Sequence, residues 1–223
     1  MPRSALGAAW VAALLALWVY VQTLSPTVAW VNQGEDSGDL LAASATLGIA
    51  HPTGYPLFVL LGRAASLIPI GATAFRINLI AALAGAASVF FLALLVLELA
   101  PPSPHDPRED GGANDRRHVH PAPILAGLAA ALAYAFSRGA WSQSVLAEVY
   151  TLNAAFLGAT LWASVRADRA GSARHLVLAS FLLGLGLTNH MLLLAAGAAV
   201  LVVAIRLRSR GSIGAAGIVL SLL

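Results

Sequence analysis

The feature that most constrains this chain is a succession of long apolar runs broken by arginines. From Ala5 to Leu24 no residue is charged, and Ser25-Pro26 closes the run. About 20 apolar residues in a helix cross the hydrocarbon layer of a bilayer. Further runs fall at about Ala74–Leu99, Ala122–Phe136, Val145–Val165, Ala173–Thr188 and Met191–Leu207. A chain built this way is an all-α polytopic membrane protein, whose core is a helix bundle in lipid. Composition agrees: 59% of residues are hydrophobic and mean hydropathy is +0.80, against about 45–50% apolar residues in soluble domains. With no cysteine, disulfides and thiolate metal sites are excluded. All 13 basic residues are arginine. They lie between apolar runs, where they orient helices, so the net charge of +3 implies no nucleic-acid partner. The bias to Ala, Gly, Leu and Arg points to a GC-rich bacterial genome, and so to the cell inner (plasma) membrane.

The first run is longer than the 7–15-residue core of a signal peptide and lacks a clean small-x-small exit. It reads as a retained signal-anchor helix. After Arg206, Arg208 and Arg210 a new apolar run begins at 211 and the chain stops inside it. The whole of 1–223 therefore reads as one transmembrane domain, the front part of a longer protein. Residues 25–73 form its first outer loop with interfacial helices. Residues 100–120, rich in proline and mixed charge, form a flexible cytoplasmic linker. His105, His118 and His120 in that linker read as solvated residues rather than metal ligands.

Leu57–Ile70 decides the topology. It is short, carries Arg63 and contains Pro69, which suits an interfacial or re-entrant segment better than a span. If it does not cross, only Arg63, Arg76 and Arg138 stand on the side opposite the N-terminus. If it does, nine of the other ten arginines move outside, against the positive-inside bias. The N-terminus is thus expected in the cytoplasm. The acidic loop at 33–57 is then outside, with 141–153 and 184–190 on the same face.

That loop holds Glu35, Asp36 and Asp39, then His51-Pro52-Thr53-Gly54-Tyr55-Pro56. Asp36 and Asp39 have the spacing of a helix cap, and either acid can serve only to start a helix. As chemistry, a partly desolvated Asp36 suits a general base that takes a hydroxyl proton. Glu35 reads as a solvated loop acid. His51 is either a turn residue capping a helix end or a well-held ligand for a phosphate or sugar. Tyr55 is either an interfacial anchor or a ligand contact. Arg63 and Arg76, against the charge bias, call for a partner: an acid such as Asp39 or Glu148, or a lipid-linked phosphate gripped bidentately. Glu148 and His190 lie at span edges, where ionisable groups are functional or paired. Asn78, Asn153 and Asn189 suit hydrogen bonds between helices, and Gly184 and Gly186 suit close packing. No cofactor is called for, though one or two outer acids could bind a divalent cation.

In order, the chain carries Asp36-Ser37-Gly38-Asp39-Leu40, His51-Pro52-Thr53-Gly54-Tyr55-Pro56-Leu57, Arg76-Ile77-Asn78-Leu79, Ala147-Glu148-Val149-Tyr150-Thr151-Leu152-Asn153 and Gly184-Leu185-Gly186-Leu187-Thr188-Asn189-His190. Over about residues 20–200 it resembles the N-terminal part of a membrane family long catalogued as a domain of unknown function. The animal member of that family is a transmembrane protein O-mannosyltransferase. Thr53 and Asp39 depart from it, where a second proline and a glutamate are usual. The family is similar to the GT-C glycosyltransferases. The resemblance implies a GT-C-like bundle with a helical first outer loop and a mannose-like sugar on a polyprenyl phosphate as donor. It also implies an acceptor hydroxyl on a protein or glycan. Catalysis would fall to Asp36, with Asp39 beside it. Substrate contacts would fall to His51, Tyr55, Arg63, Arg76, Asn78, Glu148, Tyr150, Asn153, Asn189 and His190. Membrane lipids are the remaining partner. The alternative is a transporter or flippase for a lipid-linked or small anionic substrate, which would need ionisable groups at mid-depth along a through-path.

Overall fold

The computed structural model describes residues 3–30, 34–100 and 121–212. The described residues hold helices and no strand: α1 Arg3–Gln22, α2 Ser37–Thr46, α3 Pro56–Ser66, α4 Thr73–Leu99, α5 Pro121–Ala135, α6 Arg138–Ser144, α7 Tyr150–Ala170, α8 Ala173–Leu187, a 3-10 turn Met191–Leu193 and α9 Leu194–Ser209. Most of the expected linker at 100–120, with its three histidines, lies outside the described residues, as does nearly all of the last apolar run.

Three of these helices are long and apolar enough to cross a membrane: α1, α4 and the unit Met191–Ser209. The protein is an all-α polytopic membrane protein. The other expected spans differ in form. The run at 122–136 becomes α5, which joins α6 through a bend of 64°, a broken span or a re-entrant loop. The run at 145–165 starts later, because residues 145–149 are not helical. Its helix α7 is 21 residues long but falls short on hydropathy: Asn153, Thr160, Ser164 and Arg166 dilute the apolar face. α8 is apolar yet only 15 residues long. α3, at 11 residues, is too short to span.

α4 is the hub, packed against α1, α3, α5 and α7. Its contact with α1 is built from alanine: Ala9, Ala12 and Ala16 are buried in one cluster with Ala82 and Ala93. Small residues let helix backbones approach where lipid offers no hydrophobic drive. Gly85 marks the closest point. A Cβ there would sit 2.3 Å from Ser144 Oγ and 3.1 Å from the Tyr20 ring, so α1, α4 and α6 meet around a position that takes only glycine. The Tyr20 hydroxyl donates to the Ala135 carbonyl at 2.7 Å. That carbonyl is left without a helical partner where α5 breaks, and an unpaired carbonyl is costly inside a membrane.

Two sets of helix ends result. The ends of α4, α7 and α9 meet through Glu98–Arg166 at 3.0 Å and through Asp168, which pairs with Arg206 at 3.0 Å and Arg210 at 3.1 Å. The opposite ends carry the connecting segments. There the Ser25 amide donates to the Val145 carbonyl at 2.8 Å. Asn78 Nδ2 holds the Ser25 and Thr27 carbonyls at 2.8 and 3.2 Å.

Candidate functional site

The site grows from the first turn of α2. Asp36 occupies the N-cap position, yet its side chain makes no cap hydrogen bond. Asp39 does not close a capping box either. Its Oδ2 accepts both from the His51 backbone amide and from the His51 ring at Nδ1, each at 2.8 Å. The cap reading of the two acids is therefore not realised. These bonds, the backbone one foremost, hold the Asp39 carboxyl below the usual aspartate range. α2 ends where Leu47 turns left-handed at φ 56°, and the chain swings the His-Pro turn back over the helix start.

With Nδ1–H directed at Asp39, the His51 ring presents Nε2 on its other side. Asp36 Oδ2 lies 3.4 Å from that nitrogen, and the Tyr55 hydroxyl lies at 3.2 Å. Asp36 is 43% exposed, so it meets solvent and His51 together. Tyr55 is buried, not an interfacial anchor. It takes a left-handed backbone, φ 45° and ψ 51°, which a non-glycine residue adopts only when its surroundings fix it. Pro56 follows at the first position of α3, where its missing N–H costs nothing.

The segments around residues 148–153 and 188–190 reach the same place. The Leu57 amide points at the Thr188 carbonyl at 3.5 Å. Tyr55 stacks on His190 with ring centres 5.9 Å apart, and Tyr150 lies against the His190 ring at 5.7 Å. Asn189 Nδ2 donates to the Val149 carbonyl at 3.1 Å. A row of rings, His51–Tyr55–His190–Tyr150, thus joins three stretches far apart in sequence.

Beneath that row lies Glu148, 1% exposed, with no hydrogen-bond partner on either carboxylate oxygen. Burial, and then the charge of Asp36, push its carboxyl up to about 8, against a smaller opposing effect of the Val149 amide. Burial and the Asp36 charge also raise the Tyr55 phenol, and burial lowers His190. Asn153 Oδ1, Asn189 Oδ1 and Thr151 Oγ1 are buried without partners as well. Thr151 was not singled out in the sequence, though it stands inside the Ala147–Asn153 string.

The remaining candidates sit elsewhere. Arg63 Nη1 donates to the Ala45 carbonyl at 2.5 Å. Arg76 reaches the carbonyls of Ser66 (2.7 Å) and Ile68 and the Thr73 hydroxyl (2.8 Å). Neither pairs with Asp39 or Glu148; both tie down the ends of α2 and α3 instead. Asn78 holds the exit of α1. Of the two glycines, Gly186 is the tight one, since a Cβ there would meet Leu193 at 2.2 Å, while Gly184 has open space. Among the described residues, no three of His, Cys, Asp and Glu are placed to hold a metal ion.

Residues 36–212 match the family described as "Protein O-mannosyl-transferase TMEM260 N-terminal domain". The mouse protein named "Protein O-mannosyl-transferase TMEM260" is 35% identical over 162 residues, which is 70% of this chain and 20% of the mouse protein. A Dictyostelium discoideum protein of the same name is 26% identical over 193 residues, 79% of this chain and 20% of its own length. The chain thus spans about a fifth of the length of these curated relatives. No solved structure matches it. The family's match begins at Asp36, runs through every segment of the ring row and closes just after α9, so the chain belongs to the TMEM260-type protein O-mannosyl-transferase N-terminal domain family.

Proposed function

We propose that the protein is a membrane glycosyltransferase of GT-C type. It moves a mannose-like sugar from a polyprenyl-phosphate donor to an acceptor hydroxyl on the outer face of the membrane, with its N-terminus in the cytoplasm. The observation that carries the reading is Asp36: a carboxylate at a helix start that caps nothing, stays half exposed and faces a histidine fixed by Asp39. As the acceptor oxygen bonds to the anomeric carbon, the bond from that carbon to the phosphate oxygen breaks. Asp36 takes the hydroxyl proton and the lipid phosphate leaves. Asp39 holds the His51 ring in place 3.4 Å from Asp36. The alternative of a transporter has less support, because Glu148 and His190 lie beside helix starts at one end of the bundle.

The test is Asp36→Asn in membranes. General-base catalysis is worth about 100-fold or more, so transfer from a polyprenyl-phosphate sugar should fall at least that far while expression and insertion persist. Full activity in this variant would remove Asp36 as the base.

A further inference from the structure

The sequence points to Arg63 and Arg76 as the groups that grip the donor phosphate, but both are occupied by backbone carbonyls and Thr73. The ring row offers a different group. His190 Nδ1 accepts from the Leu192 amide at 3.1 Å, so the neutral ring carries its proton on Nε2. Among the described residues nothing accepts a hydrogen bond from that Nε2–H. The Leu192 bond and the contacts with the Tyr55 and Tyr150 rings fix the direction in which it points.

We infer that His190 is the phosphate ligand of the site, donating from Nε2–H to the phosphate oxygens of a polyprenyl monophosphate. The inference rests on the donor class proposed above and names the residue that receives its head group. Three further observations fit it. His190 precedes the 3-10 turn and α9, and the start of a helix favours anions. Met191, Leu192 and Leu194 follow at once, all largely exposed, so an apolar tail can leave the head group along the outer face of α9. Burial favours the neutral ring, and in that form the Leu192 amide at Nδ1 leaves the proton on Nε2.

Two variants separate the two nitrogens of the ring. His190→Asn keeps an acceptor near the Nδ1 position for the Leu192 amide but removes the Nε2 donor. His190→Gln reaches the Nε2 position with an amide N–H and gives up the cap. The measurement is calorimetric binding of farnesyl phosphate, with inorganic phosphate as the second arm, to the full-length protein in nanodiscs. Farnesyl phosphate should bind the wild type and bind His190→Asn about 10-fold or more weakly at unchanged melting temperature, as expected for one lost hydrogen bond to a charged group. His190→Gln should recover most of the affinity. Inorganic phosphate should bind far more weakly, because it lacks the tail; equal binding would overturn the lipid assignment. If the wild type binds farnesyl phosphate and His190→Asn binds it equally well, this inference fails and the donor reading stands. It fails in the same way if the loss appears in Arg138→Gln instead. If the wild type does not bind farnesyl phosphate at all, both fall.

Discussion

The two ends of the helix bundle treat their acids in opposite ways. At one end Glu98 and Asp168 are each matched by arginine, with Arg166, Arg206 and Arg210 all within 3.1 Å. At the other, Asp36 and Asp39 share one histidine, Glu148 has no partner, and the local arginines serve backbone carbonyls. At the first end both acids are neutralised by arginine. The second keeps a half-exposed carboxylate beside a buried one, at a cost in stability that ion pairing would have removed. Charge matching therefore marks where the bundle is held together, and its absence marks where chemistry is proposed.

The sharpest way to break this contrast is to remove one charge from each end. Asp36→Asn should lower sugar transfer by at least about 100-fold and leave thermal unfolding in place, since its side chain makes no cap bond. Arg166→Ala should do the reverse. It leaves Glu98, 6% exposed, buried without its partner, and breaking such a pair costs about 3 kcal/mol. The amount of folded protein should drop while KM for the donor stays unchanged in what remains. Equal loss of melting temperature in both variants would erase the distinction between the ends.

The next effect is a pH dependence carried by Glu148. Its carboxyl holds its proton up to about 8 in the fold, while an unfolded glutamate releases it near pH 4.3, about the usual value. The folded chain then binds more protons than the unfolded one across that window. Stability is highest below the lower value, falls as pH rises towards 8 and levels off above it. Glu148→Gln should flatten that slope in thermal melts between pH 5 and 9. A slope that survives the substitution would assign the titration to another group.

How far the sequence discloses all this depends on the kind of interaction. The bundle is legible because lipid imposes run length, and α1 and α4 match their apolar runs within a few residues. The limits of α7 are less so, because residues 145–149 are as apolar as a helix start but are drawn into the site by Ser25 and Asn189. The site strings at 36–57, 147–153 and 184–190 stand out as polar islands. What each residue does there is another matter. Asp39 and His51 are twelve positions apart, and no local pattern distinguishes a cap from a bond across a turn. Arg63 and Arg76 look unpaired in sequence, because their partners are carbonyls, which every residue carries and no residue type reveals.

The smallest expected effect belongs to Asp39, and it tests whether the His51 turn is held from below or merely rests there. Its carboxyl titrates below the usual aspartate value of about 3.9, chiefly because the His51 amide and ring donate to it. A depressed acid adds stability that is present above its unfolded value and is lost as pH falls through the folded one. The contribution is small, since the side chain is 46% exposed and water screens it. Asp39→Asn keeps an acceptor oxygen but removes the charge. The shallow acid limb in melting temperature below about pH 4 should therefore disappear, the variant lying below the wild type at pH 7 by the small height of that limb and meeting it in acid. His51 should lose its fixed direction more readily than the helix loses its start, so the turn at 51–54 should exchange amide hydrogens faster while α2 does not. Unchanged exchange at His51 would mean that Tyr55 and Pro52, rather than Asp39, hold the ring against Asp36.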